Sequence, residues 1–204
     1  MAEHPLLNHA EMVYGPGDRE AARAFFETMG FEVSEFRGFP WLVITVDPQG
    51  GWGVDNVMYA NESTPAQQNF EKALEQAAER DPELARTMGR YLTIRRTRPQ
   101  FVFHFGASVP TREDWQERVE RLQEASRSHP LLTDRIEMDV YEPGVPGAVG
   151  PLSQAFVYTD VVGVGPLPLS RLLFDLQWSP DLDHAQRREN QELASQLPDR
   201  ETLV

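Results

Sequence analysis

The feature that most constrains this chain is a repeat. An apolar stretch carrying a single histidine and running into a capped, amphipathic segment occurs twice. The first copy is Leu7-Asn-His-Ala-Glu-Met-Val-Tyr14, holding His9, followed by Gly15-Pro-Gly-Asp18 and a helical pattern. The second is Phe101-Val-Phe-His-Phe-Gly-Ala-Ser-Val109, holding His104, followed by Pro110-Thr-Arg-Glu-Asp114. A strand has a side-chain period of two, so each stretch reads as a strand with its histidine on one face.

The segments after each copy repeat as well. After Asp18, apolar residues at Ala21, Ala22, Phe25, Phe26 and Met29 have helical spacing, and Gly30 closes the helix. Strands are expected over 31–36, 41–46 and 54–60, with a turn at Asp47-Pro-Gln-Gly-Gly51. In the second half Thr111 caps a helix with a buried stripe of Trp115, Val119 and Leu122. Strands over 136–141, 154–162 and 171–178 come next, the first two joined by a Gly- and Pro-rich loop, Glu142–Pro151, suited to a lid. Both halves therefore read β-α-β-β-β. Between them Pro65 onward has strong helix formers with an apolar stripe at Phe70, Ala73, Leu74 and Ala77, and Asp81-Pro82 stops that helix and starts another. The divisions are 1–62 and 100–178 for the two modules, 63–99 for a helical connection, and 179–204 for a polar tail with a helix around 184–196. Asp18 is expected to cap the first helix.

Charge and composition narrow the function. The net charge of −13, from 19 basic and 32 acidic residues, argues against nucleic acid and anionic membrane surfaces as partners. Against that background Arg95-Arg96-Thr-Arg98 stands out, either as a solvated face or as an entrance that attracts an anionic substrate. With no cysteine, disulfides, thiolate metal sites and a cysteine nucleophile are excluded. No basic region followed by an apolar run opens the sequence, and no stretch approaches the ~18 apolar residues of a membrane span, so a cytoplasmic protein is expected. There is no phosphate-binding glycine loop and no Gly-x-Ser-x-Gly elbow.

On Asn8–Tyr14, Asp18, Ala22, Phe25-Phe26 and Met29–Val33, on His104–Val109, and on Leu173-Phe-Asp-Leu-Gln-Trp178, the chain resembles the vicinal-oxygen-chelate superfamily of glyoxalases, extradiol dioxygenases and bleomycin-resistance proteins. The resemblance covers residues 6–178 and implies an α+β fold in which two βαβββ modules form one curved-sheet cup. It also implies metal ligands on the opening and closing strands: His9, His104 and Asp175, the last where the family usually has Glu. The position of a further family carboxylate falls near Met58, whose thioether is no ligand for a hard ion. Two imidazoles and one carboxylate suit Fe(II), with Mn(II) or Zn(II) as alternatives, and leave positions open for a substrate with adjacent oxygens.

Glu11 shares the face of His9 and is a candidate ligand, general base or partner for His104, and Tyr158 is a candidate proton donor. The first functional expectation is thus a metal-dependent enzyme, of dioxygenase type before isomerase or lyase. The second is a metal-free protein of the same fold that sequesters an apolar small molecule, with the histidines as polar handles. A third is a non-catalytic partner module, and a homodimer stays open. Asp175 has its own alternative, as the buried partner of a local hydrogen bond.

Overall fold

A computed structural model of the chain describes residues 9–35, 38–46, 57–148, 150–165 and 171–180. Its elements, in order, are β1 (His9–Tyr14), α1 (Arg19–Thr28), β2 (Glu32–Glu35), β3 (Leu42–Thr45), β4 (Val57–Glu62), α2 (Pro65–Arg80), α3 (Pro82–Thr97), a 3-10 turn (Pro99–Phe101), β5 (Phe105–Ser108), α4 (Arg112–Ser128), β6 (Ile136–Tyr141), β7 (Ser153–Gly163) and β8 (Arg171–Trp178). The β-α-β-β-β order thus occurs in each half, with α2 and α3 between. The expected turn at 47–51, the tail helix around 184–196, and the expected strand residues 6–8 and 54–56 lie outside the described residues.

All eight described strands join one mixed sheet. Its path is β2-β3-β4-β1-β7-β8-β5, and β6 pairs with β7. Opening and closing strands pair in parallel in each half, His9 opposite Val57 and Phe105 opposite Phe174. The remaining pairings are antiparallel, and the halves meet where Val13 and Tyr14 of β1 lie opposite Gly163 and Val162 of β7.

Alternation then sorts the side chains. One face carries Met12, Tyr14, Ile44, Met58, Val157, Phe174 and Leu176 into a core with the stripes of α1 and α4. That core is closed by Phe25, Phe26, Trp115 and Leu122, all essentially without solvent exposure. The other face carries His9, Glu11, Tyr59, Phe156, Tyr158 and Asp175, since their strand neighbours belong to the core; it is open at His9 and Glu11, and covered in the second half, where Phe156, Tyr158 and Leu173 form a second buried cluster and Asp175 is buried.

Local chemistry explains most element ends. Thr111 accepts the amide of Asp114, Thr64 that of Gln67, and Asp81 those of Glu83 and Leu84. At the end of α1, Gly30 takes φ of +83°, and the amides of Gly30 and Phe31 close on the carbonyls of Glu27 and Phe26. A β-carbon at Gly30 would meet the Arg118 guanidinium, which donates to the Met29 carbonyl at 2.5 Å and ties α4 to α1. Gly30→Ala is therefore expected to cost about 1–2 kcal/mol from the left-handed backbone alone, read as a lower urea midpoint with an unchanged denaturant slope.

Four expectations need correction. The opening strand of the second half begins at Phe105, not Phe101, because Pro99 starts a 3-10 turn; His104 precedes the strand, and Phe103 is 62 % exposed. Asp18 makes no side-chain cap, since its carboxylate instead takes two hydrogen bonds from Arg135, at 2.7 and 3.0 Å. The stripe on α2 is not covered, Phe70 being 57 % exposed. Arg95 does not belong to a solvated face: it is buried, and it donates to the Arg171 carbonyl.

Candidate functional site

Asp175 is the most constrained polar side chain of the face opposite the core. Alternation along β8 sends Leu172, Phe174 and Leu176 into the core and leaves Asp175 on the far side, beside Phe156 of β7. It is 1 % exposed. Its Oδ2 accepts from the side-chain amides of Gln154 at 2.8 Å and Gln177 at 2.5 Å, while Oδ1 has no partner. Burial raises its pKa above the usual carboxylate range, and the two amides and nearby His104 oppose that rise without cancelling it.

His104 reaches the same neighbourhood from the segment leading into β5. Its Nδ1 lies 2.9 Å from the Val102 carbonyl, so Nδ1 carries the proton and Nε2 holds the lone pair. Its ring meets Phe156 edge-on at 6.0 Å. The alternation that directs Asp175 outward directs Gln177 to the same face, whereas nothing local in the sequence singles out Gln154, which reaches Asp175 from β7.

His9 sits elsewhere. Asp175 lies opposite Phe156, seven residues from Gly163 along β7, and among the described residues β1 joins β7 only at Gly163 and Val162. At ~3.3 Å per residue that is roughly 20 Å of strand, and His9 continues away in the opposite direction. Its ring contacts Tyr59 edge-on at 5.5 Å. From Tyr59 a row of rings continues through Trp41 at 6.0 Å to Phe39, 4.7 Å beyond, and Phe39 is 48 % exposed. Glu11, two residues from His9, accepts from Asn61 Nδ2 at 3.1 Å. Met58 faces the core, so on β4 the open face carries Tyr59 and Asn61 instead.

Tyr158 lies under the end of α3. The Arg96 guanidinium stacks on its ring at 4.0 Å and pairs with Glu137 and Asp139 at 3.2 and 3.5 Å. The Tyr158 hydroxyl is buried beside the Asp139 carboxylate; burial, and then that carboxylate, push its pKa up. A proton donor that holds its proton this firmly is a poor acid at neutral pH but a good hydrogen-bond donor. A cavity of about 280 Å³ opens here, between α3 and strands β6, β7 and β8.

The family resemblance implies a metal, and the donor set meets only part of its needs. His104 and Asp175 have the right chemistry: a fixed tautomer with Nε2 available, and a buried carboxylate oxygen without a partner. They are two donors of the expected three. Among the described residues no group of three or more His, Asp or Glu side chains is placed to hold a metal ion, and His9 faces its own aromatic neighbours. The set does not fit a two-histidine, one-carboxylate centre.

No protein-family model and no curated protein matches the chain. Among solved structures, the crystal structure of protein PA1353 from Pseudomonas aeruginosa is similar at 10 % identity and a TM-score of 0.42, covering 87 % of this chain and all of that one. No helix among the described residues is long and apolar enough to cross a membrane.

Proposed function

We propose that this chain is a small-molecule-binding protein that captures a planar aromatic ligand on the open face of its sheet, in the manner of the metal-free, drug-sequestering members of the vicinal-oxygen-chelate superfamily. The observation that carries the reading is the row of rings Phe39, Trp41, Tyr59 and His9. Successive centroids lie 4.7 to 6.0 Å apart with planes inclined by 31° to 63°, so the rings form a ribbed aromatic row in which a flat ligand can stack on one ring and meet the next edge-on. His9 and Glu11 supply the polar handles at its end. The doubled β-α-β-β-β order, with its parallel pairing of opening and closing strands, supports the family reading behind it. The net charge of −13 favours a cationic ligand, both by long-range attraction and by cation–π contact with the strip.

The test is calorimetric titration of the full chain with a planar cationic dye such as ethidium. Saturable one-to-one binding is expected, weakened about tenfold or more in Trp41→Ala, because a single lost stacking contact approaches the 1.4 kcal/mol that separates decades of affinity. Binding insensitive to Trp41 would be surface attraction and would end the proposal. So would about one equivalent of iron, manganese or zinc in protein purified without chelator, lost in both His9→Ala and His104→Ala, which would restore the metal-enzyme reading.

A further inference from the structure

Beside the end of the aromatic row lies a pocket of about 390 Å³, lined by Glu11 and Val13 of β1, Asn61 of β4, Gln67 of α2, and Val164 and Gly165 beyond β7. Strand register puts the two features side by side. Glu11 lies directly opposite Tyr59, the ring that His9 meets edge-on. Asn61 stands two residues further along β4, about 7 Å away on the same face.

Hydrogen-bond accounting decides what such a pocket can hold. Its lining side chains offer two amide donors, Asn61 and Gln67, and both are turned onto protein acceptors. Asn61 Nδ2 donates to Glu11 Oε2 at 3.1 Å. Gln67 Nε2 donates to Glu71 Oε1 at 3.1 Å and to the Gly165 carbonyl at 3.3 Å. The Asn61 amide has to face this way round, because the reverse would set its oxygen against a carboxylate. What is left over is oxygen. Asn61 Oδ1 is buried with no hydrogen-bond partner. Glu11 is exposed and takes one hydrogen bond from Asn61, where a carboxylate can accept about four. A lining with acceptors to spare, its amide donors engaged and a carboxylate at its edge calls for a cation rich in N–H groups. The net charge of −13 favours the same ligand at long range.

We propose that this pocket binds a protonated amine, and that the ligand of the chain is an arylalkylamine: a flat ring on the aromatic row, with a short arm that brings an ammonium group to Glu11 and Asn61. In this arrangement, which rests on the row as the seat of the ring, the ammonium donates to the Glu11 carboxylate and to Asn61 Oδ1, and Asn61 Nδ2 positions that carboxylate. Val13 and Val164 give the arm an apolar wall. A quaternary ammonium ion gains the same charge attraction but leaves the Asn61 oxygen unpaired, so the pocket separates the two kinds of cation.

The experiment is calorimetric titration of the full chain with naphthylethylamine and with its N-trimethylated derivative, which keeps ring, arm and charge but has no N–H. Saturable one-to-one binding of the primary amine is expected, about tenfold or more tighter than that of the trimethylated ion, as for a lost hydrogen bond involving a charged group. Glu11→Gln, at an exposed strand position, should fold like the parent and weaken the primary amine about tenfold or more. No saturable binding of the primary amine, equal affinity for the two ions, or an affinity unmoved in Glu11→Gln would overturn the ammonium site. Ethidium titrated in parallel keeps the two readings apart: if its binding still needs Trp41, the aromatic row stands even when the ammonium site fails. Amine binding that needs Glu11 but is unchanged in Trp41→Ala would overturn the seat of the ring, and with it the arylalkylamine, but not the ammonium site.

Discussion

Trp115→Ala is expected to lower the stability of the chain by about 3–5 kcal/mol, the range for removing a large aromatic side chain from a core. The indole is 1 % exposed, at the start of α4, among side chains that belong to both halves of the sheet. Its Nε1 donates to the Leu176 carbonyl of β8 at 2.9 Å, so the residue pins helix to sheet by a hydrogen bond as well as by packing. Trp115→Phe separates the two contributions. It keeps much of the ring volume but leaves the Leu176 carbonyl without that donor, and should cost about 1–3 kcal/mol. Urea denaturation followed by circular dichroism measures both. A loss below about 1 kcal/mol for alanine would mean that the site collapses around the gap and that α4 is held chiefly by other contacts.

How far the sequence anticipates this architecture depends on the range of the interaction. Elements set by near neighbours are legible. The stripe Trp115, Val119, Leu122 is buried as its spacing implies, β6 and β8 span the expected residues, and Gly30 ends α1 through a positive φ. Outcomes set by distant partners are not. Asp18 has the sequence context of a cap, yet Arg135, 117 residues away, takes its carboxylate. Arg95 reads as solvated because nothing near it reveals that β7 and β8 will lie beneath α3.

The candidate site divides along the same line. Alternation correctly assigns His9 and Glu11 to one face of β1, and Asp175 with Gln177 to one face of β8. Whether those faces bring their histidines and acid to one point depends on the offset between the halves. That offset is fixed by two residue pairs, Val13 with Gly163 and Tyr14 with Val162, which no local pattern announces. The aromatic strip depends on long-range register too, through Val43 opposite Tyr59, which brings β3 and Trp41 alongside β4.

The response of Asp175 to substitution and to pH should distinguish a buried hydrogen-bond hub from a site kept ionised for chemistry. Asp175→Ala deprives the Gln154 and Gln177 amides of their common acceptor and is expected to cost about 2–4 kcal/mol, most of it from donors left unsatisfied in a dry environment. Asp175→Asn keeps an acceptor oxygen and removes the charge. Because burial raises the folded-state pKa, the native chain binds the Asp175 proton more tightly than the unfolded chain does. Between the ordinary carboxylate pKa and the raised one, the native state therefore holds more protons, and this group's contribution to stability falls as pH rises, levelling off above the folded pKa. Carboxylates with lowered pKa, such as Glu35 beside Arg19, tilt the total profile the opposite way, so the informative quantity is the parent minus the Asp175→Asn variant. That difference should decline with pH across the window and leave the asparagine variant the more stable at neutral pH. Parallel profiles for the two would mean that Asp175 titrates as an ordinary carboxylate, its charge held in place by the Gln154 and Gln177 amides.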